Sequence, residues 1–264
     1  RRTAHKAHCL GYVIHSHYAA DAYLRSGVPP ERLLVAHNGF DPIGPPMDKA
    51  KARARLGLPA DRPIAVYAGR INGAKGLDTV LDLADLRPAV LFVLVGSEGQ
   101  GTIELAAARR ANVRVVPWAA PDALPPWLFA ADALLIPPSS APLHSFGTCV
   151  LPIKLFTYLA AGRPILAPDA PDTRELLTHE DTALLVEPDR PDLAAAALDR
   201  LLGDARLAAS LSANALKLAE GLDWDSRAQA IAGFLRRRLA QLAPPEYAAG
   251  DPAPAVSRAS SSNV

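Results

Sequence analysis

Short runs of apolar residues alternate along this chain with longer stretches in which apolar positions recur every three or four residues. The runs fall at 64 to 69 (IAVYAG), 90 to 96 (VLFVLVG), 113 to 118 (VRVVPW), 133 to 138 (ALLIPP), 164 to 168 (PILAP) and 182 to 188 (TALLVEP). Brief, β-branched apolar runs bounded by Gly or Pro predict strands buried on both faces, and the helical spacing between them predicts crossover helices. Parallel neighbours need such crossovers, so the pattern predicts an α/β fold, a Rossmann-like parallel sheet covered by helices.

Upstream, GYVIHS reads as a strand, HYAADAYLRSG as a helix stopped at Gly27, and RLLVAHN as a second strand. Residues 42–62 are dense in Pro and Gly around a short charged helix, KARARLGL, and read as a linker. Downstream, three Ala- and Leu-rich helices are expected, separated at Gly203-Asp204 and at 221–225. The tail from 243 to 264 is rich in Pro, Ala and Ser, too poor in apolar surface to offset its ordering entropy, and is expected to be disordered. The expected units are 1–41, a 42–62 linker, 63–220, a closing helix over 221–242, and the tail.

Half of the 264 residues are apolar, enough for a substantial core. The 28 Lys and Arg against 27 Asp and Glu argue against a nucleic-acid partner held by counterion release. Cys9 and Cys149 lie far apart without further ligand spacing, which fits a reducing cytoplasm and disfavours a disulfide framework or zinc site. No apolar run approaches the ~20 residues of a membrane span. The chain opens on Arg1-Arg2 with no initiator Met and no signal peptide, and is read as a fragment or processed product.

In an open parallel sheet, ligands bind beyond the carboxyl ends of the strands, so the loops after Gly69, Gly96, Trp118 and Pro138 are where chemistry is sought. The strongest constellation is YAGRINGAKGLD, residues 67 to 78. A strand ends at Gly69, Gly73 and Gly76 leave backbone amides open to an anion, Gly76-Leu77 opens a helix, and Arg70 and Lys75 add full charges that a diphosphate can bridge. The alternative is a tight strand-to-helix turn with two solvated cations.

Four blocks in order then resemble the retaining glycosyltransferases with two Rossmann-like domains (the GT-B fold, glycosyltransferase family 4, glycosyl transferases group 1), and specifically their C-terminal, donor-binding half. VAHNGFD (35 to 41) is similar to the family's P-N-G-V-D at the end of the first domain, and YAGRINGAKGLD to G-R-x-x-x-x-K-G-x-D. IKLFTYLAAGRPILA (153 to 167) is similar to K-x-F-E-Y-M-A-x-G-x-P-V-V-A, and LDWDSRA to the start of the closing helix. The resemblance implies a hexose moved from a nucleotide-diphospho-sugar to a glycan, lipid or small-molecule acceptor with retention, and a remnant of the N-terminal domain at the start of the chain. It implies that Arg70 and Lys75 neutralise the donor diphosphate as it departs, a task that needs no metal or other cofactor.

The family's two glutamates, eight residues apart, fall here on Cys149 and Thr157, neither acidic. Thr157 can make one hydrogen bond but not the bidentate contact of a carboxylate. Ser145-Phe146-Gly147 offers a shifted version of the preceding loop, with His144 in the place of the glutamate. Lys154 faces either the donor phosphates or solvent. Trp118 stacks on a base or, as strand-end tryptophans more often do, packs in the core. Glu175 reads as an exposed Glu on a helix after the fifth strand. Asn38 and Gly39 are expected to shape a turn through left-handed backbone, and His15, His17 and His37 lack spaced acidic partners, so no metal site is expected. FLRRRLAQL (234 to 242) reads as a solvated face, with a peripheral contact at the inner face of the membrane left open. Two other functions stay open: a degenerate, non-catalytic binding or partner subunit, suggested by Cys149 and Thr157, and a sugar-nucleotide 2-epimerase, which would want cleft carboxylates.

Overall fold

The computed structural model describes residues 9–146 and 151–242. The first unit is small: β1 (Tyr12–Ile14), α1 (His17–Arg25) and β2 (Leu33–Val35), the two strands parallel with Tyr12 opposite Leu33. Ser16 caps α1, its hydroxyl accepting from the Ala19 amide. Then comes α2 (Lys49–Leu56), started by the Asp48 carboxylate and ended by Gly57 in left-handed backbone. This helix lies in the stretch expected as a linker, yet its Ala52 belongs to the core of the large unit and its Arg53 bonds the Ala130 carbonyl and Asp132.

The large unit runs β3 (Ile64–Ala68), α3 (Leu77–Leu86), β4 (Leu91–Ser97), α4 (Thr102–Ala107), β5 (Val113–Pro117), α5 (Pro125–Phe129), β6 (Ala133–Leu135), α6 (Ala141–Phe146), α7 (Lys154–Ala161), β7 (Ile165–Pro168), β8 (Leu184–Val186), α8 (Pro191–Gly203) and α9 (Ala205–Ala219), followed by α10 (Trp224–Leu242). Its six strands are all parallel, in the order β5-β4-β3-β6-β7-β8. Alternation along β3 sends Ile64, Val66 and Ala68 into one core with Leu128 of α5 and Leu155 and Leu159 of α7, while Ala65 and Tyr67 enter a second core with Val80 of α3, Ile103 of α4 and Leu198 of α8. Both faces of the sheet are therefore apolar, which is why its strands read as continuous apolar runs.

The chain winds outward from β3 to β5 on one side and returns through β6 to β8 on the other. Connections diverge where β3 lies beside β6, and the crevice beyond their carboxyl ends is the place where such sheets bind ligands.

The segment PDTRELL is not helical. The Thr173 hydroxyl donates towards the Pro168 and Ala170 carbonyls and accepts from the Ala170 amide, holding compact turns over residues 171–176 in place of a helix. The closing helix α10 runs back over the small unit: Arg227 bonds the Ala36 and His37 carbonyls, Arg238 the Leu10 carbonyl, and the Phe234 ring lies where a Cβ on Gly11 would be. Of the arginines expected on a solvated face, Arg236 and Arg237 are exposed and Arg238 turns inward. Among the described residues no helix is long and apolar enough to cross a membrane. The tail from 243 onward lies outside the described residues.

Candidate functional site

Two adjoining cavities occupy the crevice at the ends of β3 and β6. One, of about 350 Å³, includes Gly69, Arg70, Lys75, Ser139, Lys154 and Asp172 in its wall. The other, of about 270 Å³, includes Gly69, Arg70, Glu98, Trp118, Lys154 and Thr157. Gly69, Arg70 and Lys154 border both, so the two spaces meet at the end of β3.

Backbone conformation opens this junction. Gly69 has φ +144° and Gly96, at the bulge that ends β4, has φ +126°. A Cβ on Gly96 would lie 2.2 Å from the Gly69 carbonyl oxygen, so no side chain fits between the two strand ends. The Gly69 amide bonds the Val95 carbonyl at 2.9 Å, and the Tyr158 hydroxyl accepts from the Ala68 amide at 2.7 Å, which together fix the strand end. Beyond it the Tyr67 hydroxyl donates to the Arg70 carbonyl at 2.7 Å. The loop then makes a short 3-10 turn over Gly73–Lys75 and enters α3 through Gly76 in left-handed backbone, where a Cβ would meet Ser139 at 2.4 Å.

Two cations, Arg70 and Lys154, border the junction, and a third, Lys75, lines the larger cavity. Arg70 is well exposed and lies 3.7 Å from Glu98, a screened pair worth little. Lys75 sits half-buried in the following turn. Lys154, in the first turn of α7, points its ammonium at the Tyr67 ring, 3.9 Å from the centroid. Among the described residues no carboxylate pairs with Lys154. Burial, and next the charge of Lys75, bring its ammonium down from the usual lysine range to about 7.

The sequence-predicted residues are only partly brought together. Gly69, Arg70, Lys75, Lys154, Thr157 and Trp118 all line the cavities, and Trp118, at 61 % exposed, is not a core residue. The backbone places it just past the end of β5, where its amide bonds the Ser97 carbonyl and its ring is left at the rim. His144 is exposed on α6 and lines neither cavity. Gly73 and Gly76 shape the loop without lining the cavities. Gly147 and Cys149 lie outside the described residues, as does the side chain of Phe146.

Three further expectations change. Glu175 is neither helical nor exposed: only 6 % of its side chain is open, and it accepts from the His17 amide at 2.7 Å, the Tyr18 amide at 3.3 Å and His37 Nε2 at 2.9 Å. It caps the start of α1 from the other unit. Burial pushes its carboxyl up, and the His17 amide, His37 and the Tyr18 amide together outweigh this and hold it below the usual range. His37 thus has the acidic partner that sequence spacing did not reveal, and the ligand atoms of His17, His37 and Glu175 lie within 4.8 Å of one another. Neither Asn38 nor Gly39 uses left-handed backbone. Gly39 is required because a Cβ there would meet the Trp224 amide at 2.6 Å, and the Asn38 side chain accepts from Arg227 at 3.2 Å.

Asp172 was missed by the sequence reading. It lies in the loop after β7 and is 7 % exposed, its Oδ1 accepting from the Thr173 amide at 2.9 Å. Extending the search of strand-end loops to the one after Pro168 would have found it.

Comparison with known proteins agrees with this geometry. The model of the family described as "Glycosyl transferases group 1" matches residues 48–218. D-inositol 3-phosphate glycosyltransferases from Jonesia denitrificans (30 % identical over 86 % of this chain and 55 % of that protein) and Streptomyces scabiei (34 % identical over 82 % and 49 %) are similar to it. The chain spans about half the length of these relatives. Among solved structures, sucrose-phosphate synthase from Thermosynechococcus elongatus superposes with a TM-score of 0.70 at 25 % identity, over 87 % of this chain and 58 % of that one. The Anabaena HepE structure in complex with UDP-glucose does so at 0.70 and 22 %, over 85 % and 63 %.

Proposed function

We propose that this chain, which belongs to the glycosyl transferases group 1, is the donor-binding half of a hexosyltransferase that takes a sugar from a nucleotide-diphospho-sugar and passes it to an acceptor with retention. The observation that carries this reading is the meeting of Arg70 and Lys154 at the junction of two cavities beyond the switch point of the sheet, with Lys75 in the wall of the larger one. A donor of this class has a diphosphate between a sugar and a nucleoside, and the site has cations between two spaces.

In this reading the diphosphate lies over Gly69, where the missing side chains let it approach the ends of β3 and β4, and the three cations take up the negative charge that grows as the sugar departs. Charge fixed in place before the reaction lowers the barrier because nothing has to reorganise when the bond breaks. The base enters the smaller cavity against the rim ring of Trp118, and Thr157 offers the ribose one hydrogen bond. The acceptor site belongs to the part of the relatives' length that this chain does not span.

Titration calorimetry of the chain with UDP-glucose, ADP-glucose and GDP-mannose tests the reading, beside an R70A/K75A double variant. Micromolar binding of one donor, lost in the variant, is expected. Binding that survives the double substitution, or no binding of any donor, overturns it.

A further inference from the structure

We propose that Asp172 recognises the hydroxyls of the donor's sugar, an inference that rests on the donor-site reading above. Among the described residues it is the only carboxylate in the wall of the larger cavity, whose other charged groups are Arg70, Lys75 and Lys154. A carboxylate repels a diphosphate, so its counterpart in this cavity is a neutral group rich in O–H donors. A hexose presents adjacent hydroxyls that one carboxylate can accept through both oxygens.

Hydrogen bonding and burial point the same way. Asp172 Oδ1 accepts from the Thr173 amide, and among the described residues no hydrogen bond reaches Oδ2. The side chain is nine-tenths buried, and the oxygen that no donor among the described residues reaches opens on the cavity, where an O–H of a ligand can meet it. Burial raises the carboxyl above its ordinary value, and the amides of Thr173 and of Asp172 itself offset this in part. The same wall carries the apolar Ile136, Pro137, Pro142, Leu151 and Pro152, a surface suited to the C–H face of a pyranose. Ring and carboxylate then sort the donor into place: its hydroxyl edge on Asp172, its apolar face on the prolines, and its phosphates towards Lys154.

Calorimetry of wild type, D172N and D172A with UDP-glucose against UDP, and with GDP-mannose against GDP, separates this role from the rest of the site. The expected result is a loss of roughly tenfold in affinity for the sugar nucleotide that wild type prefers, with the affinity for its bare nucleoside diphosphate changed less than about twofold. D172N keeps the shape of the side chain, and its thermal unfolding is followed alongside, so a folding defect in D172A does not decide the outcome. Equal losses for nucleotide and sugar nucleotide, or no loss for either, overturn the assignment. If wild type binds the nucleoside diphosphate and the sugar nucleotide of neither pair, the donor-site reading itself fails and this inference falls with it.

Discussion

The ammonium of Lys154 occupies the space beside Gly69 that any side chain there would enter: a Cβ on Gly69 would lie 2.9 Å from Nζ and 3.0 Å from Cε. The glycine and the lysine are one feature, although 85 residues separate them in sequence (154 − 69). A Gly69→Ala variant must both strain the backbone at φ +144° and push the ammonium off the Tyr67 ring. It is expected to lose about 2 kcal/mol of stability, by denaturant unfolding, and more than tenfold in donor affinity. Donor affinity equal to wild type would remove Lys154 from the site.

Lys154→Met is expected to stabilise the empty protein at neutral pH while weakening donor binding. A lysine whose ammonium is held to about 7 binds its proton less readily in the folded chain than in the unfolded one. Stability therefore falls as pH drops from the ordinary lysine value towards 7, and is level below that. Met fills the same volume without this cost, worth about 1–2 kcal/mol. The check is thermal unfolding of both proteins at pH 7 and pH 10, where the gap should narrow at the higher pH.

Donor affinity should itself depend on pH. A bound diphosphate favours the charged ammonium, so the wild-type chain takes up a proton on binding near and above pH 7, and affinity for UDP-glucose rises as pH falls towards 7 and then flattens. Calorimetry in two buffers of different ionisation enthalpy measures the proton directly. In Lys154→Met the buffer dependence should vanish; its persistence would assign the proton to another group.

Glu175→Gln tests the joint between the two units. The carboxylate accepts from two amides at the start of α1 and from His37, and its replacement is expected to cost about 1–2 kcal/mol at pH 7. Because the folded carboxyl is held below its usual value, this stability is present above the ordinary glutamate range and is lost as pH falls through the folded value. Unfolding midpoints of the two proteins should therefore converge in acid, and parallel curves down to pH 3 would show that the charge is irrelevant.

The part of this architecture legible in the sequence is the part that local rules determine. Apolar runs marked the six strands, five of them buried and the edge strand β5 half-exposed, and Gly76 before Leu77 marked a helix entry, because both depend on neighbours in the chain. What escaped depends on distant contacts. Trp118 reads like core, and only the pairing of its amide with Ser97 leaves the ring at a rim. Glu175 reads as a helical surface residue, yet Thr173 turns the backbone and His17 lies 158 positions away along the chain. Asp172 carries no local motif, and its meaning comes from the cations that β3 and α7 bring to the same cavity.

The backward run of α10 has a consequence for the order in which the protein is assembled on the ribosome. Leu10 waits for Arg238, 228 positions later. At translation speeds of ~5–20 residues per second that is roughly 10 to 45 s. Throughout that interval β1 and β2 have α1 against them but not α10, so the positions that take Arg227, Phe234 and Arg238 stand open, while the six-stranded unit can already close behind them. The earlier of the two units along the chain is completed last, so a nascent chain halted before α10 would leave it open to chaperones, proteases and other chains.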